Sequence, residues 1–198
     1  MPGLLIITGW RGVGKTTLCR LLAETVSGWG DFPQPEKGRN NRLWQVAGLL
    51  SPAVIVKGEK VAIDAVNLRS GEKRRLATHT AIPHQGTAML DWAFDPAVLD
   101  WGNQVLRQAV PCDLLIVDEL GPLELLHKGG WQAGVEALNS GLFRMGIVVI
   151  RPEFMDLPAT SEGGGSPLRD WKQAEIIRVE AVEQVANLAT RIIEHLES

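Results

Sequence analysis

Short apolar runs alternate along this chain with segments whose apolar residues recur at helical spacing. The runs of strand length lie at 4–7, 112–117, 147–150 and 175–179. The segments with a helical repeat lie at 15–27, 96–109, 130–139 and 182–196. This alternation predicts an α/β fold in which a mostly parallel central sheet is covered by helices on both faces.

The part of the chain between the first and second predicted helices has a different pattern. Short strands separated by glycine-containing turns are predicted at 46–56, 60–68 and 74–78. We interpret them as an antiparallel strand insertion around 46–78. The chain has 198 residues, which is the size of one domain, so 1–198 is expected to fold as a single domain.

Composition and charge narrow the class of protein. A net charge of -3 gives no reason to expect nucleic acid or an anionic membrane as the main partner. No apolar run has membrane-spanning length, and Met1-Pro2-Gly3 lacks the basic start of a secretion signal, so we expect a cytoplasmic protein. Cys19 and Cys112 each lie in or beside an apolar element, which favours two inert thiols over a disulfide or metal pair.

The most informative stretch follows the first predicted strand and opens the first predicted helix. It consists of Gly9, Trp10, Arg11, Gly12, Val13, Gly14, Lys15, Thr16 and Thr17. Its pattern, G-x-x-x-x-G-K-T, is that of the phosphate-binding P-loop, in which backbone N–H groups attract anions. Lys15 is expected to reach the β- and γ-phosphates, and the Thr16 hydroxyl to bind Mg²⁺. The alternative, a glycine-rich turn that binds nothing, is disfavoured by the flanking strand and helix.

A pair of acids ends the predicted strand 112–117. Asp118 and Glu119 follow four apolar residues, which is the Walker B pattern. Asp118 is expected to hold Mg²⁺ opposite Thr16, and Glu119 to accept a proton from, or orient, the water that attacks the γ-phosphate. Because parallel strands end at one edge of the sheet, the P-loop, the two acids and Arg151 are expected on the same rim.

Two strings of sequence carry a resemblance to a known family. GWRGVGKTTL (9–18) and IVDELGPLEL (116–125) resemble the motifs of the cancer-related nucleoside-triphosphatase family, also described from thermophiles. That family shows G-x-P-G-V-G-K-T-T-L and D-E-I-G-x-M-E-L at these places. The segments 48–51 and 60–70 resemble its intervening strands, so the resemblance extends to about Pro152. It implies a RecA-like P-loop fold that hydrolyses ATP, GTP and other triphosphates to diphosphate and phosphate.

The resemblance also implies where the nucleotide is bound. Residues 9–16 would bind the phosphates. A second contact would be formed by Leu115, Ile116, Val117, Asp118, Glu119, Leu120, Gly121 and Pro122. The chain departs from the family pattern at Arg11, which stands where the family usually has Pro, and at the bulky Trp10. It departs again after Ile150, where the basic stretch expected of the family does not follow.

Several residues near these motifs have two interpretations. We expect Arg11 to face solvent rather than the phosphates, and Trp10 to pack against the protein rather than stack on a base. Phosphoryl transfer needs a further cation on the transition state. Arg151 is the first candidate for this role, and Arg169 is the second. Glu124 matches the family's second acid, but an acid in that turn also suits a helix cap.

The remaining polar and aromatic residues are expected to be structural. Lys73-Arg74-Arg75 lies beside a hairpin turn with no aromatic neighbour in sequence, which favours a solvated strand edge over a nucleic-acid site. The histidines have neither the spacing nor the companions of a metal site; they are His79, His84, His127 and His195. The other tryptophans are scattered, at 29, 44, 92, 101, 131 and 171.

Three functions stay open from the sequence. The first is a nucleoside-triphosphatase that uses Lys15, Mg²⁺ and Glu119. The second is a nucleotide or small-molecule kinase, for which the glycine run 162–165 with Arg169 would form a lid. The third is a regulatory nucleotide-binding switch that acts on a protein partner, which the sequence does not identify. The base preference between ATP and GTP is not encoded in either motif.

Overall fold

The computed structural model describes residues 3–27, 43–80, 92–155 and 173–197. Within these ranges one sheet contains β1 (Gly3–Thr8), β2 (Val46–Leu50), β3 (Ala53–Val56), β4 (Glu59–Asn67), β5 (Lys73–His79), β6 (Trp92–Phe94), β7 (Cys112–Leu120), β8 (Phe143–Ile150) and β9 (Glu175–Arg178). The helices are α1 (Lys15–Ser27), α2 (Pro96–Arg107), α3 (Pro122–Leu125), α4 (Gln132–Ser140) and α5 (Val185–Glu197).

One half of the sheet is parallel, and its carboxyl edge carries the predicted motifs. The strands lie in the order β2-β7-β8-β1-β9, so that β8 separates β1 from β7. Ile6, Ile116 and Val148 are all 0% exposed, because helices cover both faces of this half. The arrangement confirms the mostly parallel sheet that the alternating pattern predicts, and it agrees with a RecA-like P-loop fold.

The predicted antiparallel insertion forms the other half of the same sheet. β4 pairs antiparallel with β2, and β5 and β6 continue outward from it. The predicted strand 46–56 is interrupted at Ser51-Pro52, and its first half pairs in parallel with β7, so β2 belongs to the parallel half rather than to the insertion. Gly48 permits this pairing, because a Cβ there would overlap the carbonyl oxygen of Ile116.

Two layers of helices bury alternate residues of the parallel strands. Leu5 and Ile7 of β1 face one cluster, which includes Leu18 of α1 and Val185 of α5. Ile6 faces the opposite cluster, which is built from α2 and α4. This alternation follows from the two-residue period of a strand. The helices therefore cover the parallel strands on both faces of the sheet.

Most element bounds agree with the sequence pattern within three residues, but β7, predicted to end at 117, continues through Asp118 and Glu119 to Leu120. The bounds of α1 are those predicted, and α2 ends at Arg107, two residues before the predicted end. β6 and α3 were not predicted, because elements of three and four residues are too short to show a period. β8 begins at Phe143 rather than 147, since Arg144 and Gly146 interrupt its apolar run.

Candidate functional site

The loop that joins β1 to α1 has a backbone that only glycine fits well. Gly9 has φ 150° and Gly14 has φ 100°, in the region that disfavours side chains. A Cβ on Gly9 would overlap the carbonyl oxygen of Val179, and one on Gly14 would lie 2.8 Å from a methyl group of Val185. The segment that follows β9 therefore packs directly against the P-loop.

The Lys15 side chain lies inside this loop. Its Nζ donates hydrogen bonds to the carbonyl oxygens of Gly9 at 2.7 Å and Trp10 at 2.9 Å, and the residue is 6% exposed. Burial lowers the pKa of Lys15, while the carboxylates of Glu119 and Asp118 act in the opposite direction. The ammonium is thus held between the loop and the two acids of β7.

Asp118 joins three separate parts of the chain. Thr16 Oγ1 donates to Asp118 Oδ1 at 3.2 Å, and the Ser51 amide donates to Oδ2 at 2.9 Å. The Ser51 hydroxyl also donates to the carbonyl oxygen of Asp118. Asp118 is 1% exposed, and burial raises its pKa to about 6 although these hydrogen bonds oppose the shift. A buried carboxylate with a raised pKa beside a hydroxyl is a site at which a cation would be favourable.

Oxygen ligands from two elements suit magnesium at this position. The Thr16 hydroxyl and the Asp118 carboxylate are the hard oxygen donors that Mg²⁺ prefers. In the described part of the chain, no group of three or more His, Cys, Asp or Glu side chains forms a metal site. A metal ion bound here would need further ligands from a substrate or from water, as is usual for Mg²⁺ in phosphoryl-transfer sites.

Glu119 and Arg151 form an ion pair at the same rim. Arg151 Nε lies 3.0 Å from Glu119 Oε1, and Arg151 Nη1 lies 3.1 Å from Glu153 Oε1. The Nε–H group does not point at Glu119 well enough to form a hydrogen bond, so the contact is mainly electrostatic. The Arg151 guanidinium also lies 5.0 Å from the Phe154 ring centre. These contacts hold Arg151 beside the acid that the sequence assigns to water activation.

Arg11 and Trp10 lie at the tip of the P-loop, and the structure agrees with the prediction for only one of them. Arg11 is exposed, as expected. Trp10 is 68% exposed, so the expectation that it packs against the protein is wrong. The tip of the loop lies beyond both core clusters, and no described apolar surface covers the ring. Arg169 and the glycine run 162–165 lie outside the described residues.

The segment 115–122 contributes fewer side chains to the rim than its length implies. Leu115, Ile116, Val117 and Leu120 are all 0% exposed and belong to the core clusters. Their side chains therefore hold β7 in the sheet. Glu119, Gly121 and Pro122 are partly exposed, and Asp118 contacts Thr16 of the P-loop.

Glu124 has the structural role of a cap. One of its oxygens accepts from the Gly121 amide at 2.9 Å, and the other accepts from the Trp131 amide at 2.8 Å. Burial raises the pKa of Glu124, and these two hydrogen bonds oppose the shift. The helix-cap interpretation of this acid is the one that the contacts support.

The basic triplet is paired with acids and with an aromatic ring. Arg75 Nε donates to the buried Asp64 at 2.6 Å, and Lys73 Nζ lies 3.9 Å from the same carboxylate. Arg74 pairs with Glu72 at 2.7 Å. The guanidinium of Arg74 also lies 4.6 Å from the ring centre of Trp101, a contact that sequence adjacency does not reveal. The pairing supports a structural role for the triplet in the antiparallel half of the sheet.

The two cysteines and the described tryptophans other than Trp10 belong to the core clusters or pack against them. Cys19 is buried and Cys112 is partly buried, both as free thiols, and burial raises the pKa of each. Trp101 and Trp131 are core residues, and Trp44 packs against the other cluster. Trp29, Trp171 and His84 lie outside the described residues.

Two residues at the site were not assigned a role from the sequence. Ser51 fixes both the carboxylate and the backbone of Asp118, and Glu153 pairs with Arg151. Ser51 lies in the run 48–51 that contributes to the family resemblance, which was the available signal. Nothing in the sequence pattern distinguishes Glu153 from a surface acid.

Comparisons with known proteins identify a family that this chain matches. The family model described as NTPase matches residues 4–156. The nucleoside-triphosphatase THEP1 of Methanothermobacter thermautotrophicus is 26% identical over 73% of this chain and 75% of its own length. The corresponding protein of Thermococcus kodakarensis is 27% identical over 77% of this chain and 78% of its own length.

A solved structure shares the fold. The solution structure of a human cancer-related nucleoside triphosphatase superposes with a TM-score of 0.62 over 98% of this chain and 97% of its own, at 22% identity. At this identity the similarity is evidence for the fold alone.

Proposed function

Because the chain belongs to the NTPase family, whose model spans residues 4–156, we propose that it hydrolyses nucleoside triphosphates to the diphosphate and phosphate. The observation that carries this proposal is the contact between Thr16 and Asp118, whose side chains meet at 3.2 Å from positions 102 residues apart. This contact brings the P-loop and the acids of β7 to one rim. Substrates of the ATP and GTP type are proposed for the same site.

The P-loop is proposed to bind the phosphate chain. The first N–H groups of α1 have no partner within the helix, and they lie at the positive end of its dipole. The Lys15 ammonium already lies in the loop, where it donates to two carbonyl oxygens. Oxygens of the β- and γ-phosphates would take the place of these carbonyl oxygens as acceptors. Because the phosphate oxygens are charged, their hydrogen bonds to the ammonium would be stronger.

Thr16 and Asp118 are proposed to hold Mg²⁺, since both present oxygen atoms at the same point. When bound, the ion neutralises charge on the phosphate oxygens. The rise in the Asp118 pKa to about 6 supports this assignment, because a buried carboxylate gains from a cationic partner. Ser51 keeps the carboxylate oriented by donating to its second oxygen.

Glu119 and Arg151 are proposed to act on the terminal phosphate. Glu119 stands next to Asp118, and its side chain is 32% exposed, so water has access to it. We assign it to orient the attacking water and accept its proton. Arg151 lies 3.0 Å from the same carboxylate, which keeps a cation beside the position of attack. An arginine in such a position accelerates phosphoryl transfer by about 10³–10⁵-fold.

No helix within the described residues combines the length and apolar character that crossing a bilayer requires. We propose a cytoplasmic protein that folds as a single domain over 1–198 and that uses no nucleic acid. The kinase and switch hypotheses are not favoured by the family, and the residues suggested for a kinase lid lie outside the described part of the chain.

A phosphate-release assay tests this proposal. The wild-type protein is incubated with each of the four ribonucleotides, with Mg²⁺ or with EDTA, and with or without candidate phosphoryl acceptors. We expect release that needs Mg²⁺ and no acceptor. Glu119→Gln keeps the size of the side chain but removes the base, so it should bind Mg·ATP normally and lose at least about 100-fold in turnover. Near-wild-type release by this variant would refute the role of Glu119, and release only with an acceptor would favour a kinase.

A further inference from the structure

The antiparallel half of the sheet extends past the carboxyl edge at which the site lies. β2 pairs with β7 as far as Leu49 and Val117, and β3 continues in the same direction from Ala53. β3 then pairs with β4, whose first residues are therefore the farthest beyond the edge. We call residues 53–67 the β3–β4 hairpin. Ser51, at its base, is hydrogen-bonded to Asp118, which fixes the hairpin relative to the site.

Lys60 occupies the projecting end of this hairpin. It pairs with Ile55, which is four residues beyond Ser51. At the usual rise per strand residue, Lys60 therefore lies about 13 Å along the hairpin from its base at Ser51. Its ammonium lies 4.9 Å from the ring centre of Trp92 on β6. Trp92 in turn makes an edge-on contact with His79, with ring centres 5.2 Å apart. The end of the Lys60 side chain is therefore held against an aromatic surface.

The charges that act on Lys60 belong to the candidate site. Lys60 keeps an accessible surface, but protein on one side of its ammonium lowers its pKa by desolvation. The charged groups with the largest further influence are Glu119, Arg11, Asp118 and Lys15. Its neighbours along the chain do not appear among these groups. The Lys60 ammonium therefore lies within electrostatic range of the P-loop and of the two acids of β7.

Two of the other three cations at the rim already have partners, whereas Arg11 at the loop tip is exposed. Lys15 donates to the loop carbonyls, and Arg151 contacts Glu119 and Glu153. Among the residues that the structure describes, Lys60 forms no ion pair with an acid. Lys60 is therefore a cation near the two acids of β7, it contacts an aromatic ring, and it has no ion-pair partner among the described residues.

We propose that Lys60 contacts the γ-phosphoryl group of the bound triphosphate, and that the β3–β4 hairpin delivers this cation to the site in the same chain. The proposal rests on the assignment of the rim as a triphosphate site. A nucleoside diphosphate has no group at this position, so Lys60 favours triphosphate over diphosphate. It also stabilises the charge on the phosphoryl group during transfer, together with Arg151.

Matched neutral variants of the same hairpin test the proposal. Lys60→Gln removes the proposed contact, and Lys57→Gln removes an exposed positive charge three residues away in the turn. Both proteins are titrated with Mg·ADP and with the slowly hydrolysed analogue Mg·ATPγS, and phosphate release from ATP gives kcat and KM. A charged hydrogen bond contributes enough that Lys60→Gln should weaken ATPγS binding and lower kcat/KM by about tenfold to 100-fold. The affinity for ADP should stay within about twofold, and Lys57→Gln should match wild type.

The outcomes separate a phosphate contact from a structural role. Lys60→Arg should recover most of the preference for ATPγS over ADP, because it restores the cation. Equal weakening of ADP and ATPγS, or equal behaviour of the two glutamine variants, would overturn the proposal. If wild type released no phosphate, the triphosphatase assignment would fail, and the ratio of ATPγS to ADP affinity would still decide the role of Lys60. If thermal unfolding shows that Lys60→Gln does not fold, Lys60→Met takes its place in every measurement. The methionine keeps an apolar stem against Trp92 and removes the charge.

Discussion

Replacing Asp118 with asparagine should stabilise the metal-free protein while removing its function. The carboxylate is 1% exposed, and burial raises its pKa from 3.8 to about 6. A shift of about two units corresponds to about 3 kcal/mol at 1.36 kcal/mol per unit. An asparagine carries no charge, yet its oxygen still accepts from the Ser51 amide and its nitrogen can donate to Thr16. The variant should therefore gain up to about 3 kcal/mol in free energy of unfolding above pH 6.

The size of this difference in the free energy of unfolding depends on pH. The folded protein binds the Asp118 proton more tightly than the unfolded chain, since the folded pKa is the higher one. This group therefore favours the folded state below the unfolded pKa of 3.8, and the advantage is lost as pH rises toward about 6. The stability difference between Asp118→Asn and wild type should grow across this window and then stay constant.

Urea denaturation in EDTA measures this difference directly. Unfolding curves of both proteins are recorded at about pH 4 and about pH 8, and the difference should be small at the first and about 2–3 kcal/mol at the second. Asp64→Asn is the matched control, because Asp64 is also buried but pairs with Arg75 at 2.6 Å. Loss of that contact should destabilise the protein by about 1 kcal/mol near pH 8. An Asp118→Asn protein that is no more stable than wild type near pH 8 would contradict the electrostatic argument.

Two further substitutions and one thiol reagent test the catalytic arginine, the packing of β2 against β7 and the burial of Cys112. Arg151→Ala should slow phosphate release by at least about 1000-fold with little change in the affinity for ATP; unchanged turnover would return Arg151 to a structural role. Gly48→Ala should destabilise the fold by more than about 3 kcal/mol in urea denaturation, because its Cβ would overlap the carbonyl oxygen of Ile116. Burial raises the pKa of Cys112 from 9.0 to about 11, so near pH 8 it should react with a thiol reagent about 100-fold more slowly than a free cysteine. The unfolded chain should show two fast thiols, and a fast thiol in the folded protein would contradict this result.

The sequence predicts most of the parallel half of the sheet because the physical signal is local. The bounds of α1 and the strand before Asp118 follow from apolar runs and spacing within one element. The carboxyl-edge rule then predicts that Thr16 and Asp118 converge, and they meet at 3.2 Å. This inference needs only the direction of the strands and not the details of packing.

The parts that the sequence does not predict depend on contacts between distant elements. No local pattern indicates that Ser51 holds Asp118, or that Lys60 lies within electrostatic range of Glu119. Trp10 is exposed because nothing in the described structure covers the tip of the P-loop, which is a property of the fold rather than of the residue. The division of 46–56 between a parallel and an antiparallel strand depends on pairing with β7 and β4.

Calorimetric titration with Mg·ATPγS tests the central claim most directly. The account predicts saturable binding by wild type that is lost in EDTA, and no detectable binding by Lys15→Ala up to millimolar ligand, with both proteins folded by circular dichroism. A flat titration of wild type at millimolar ligand would contradict it. Equal affinity of wild type and Lys15→Ala would do so as well, because the P-loop would then not be where the phosphates bind.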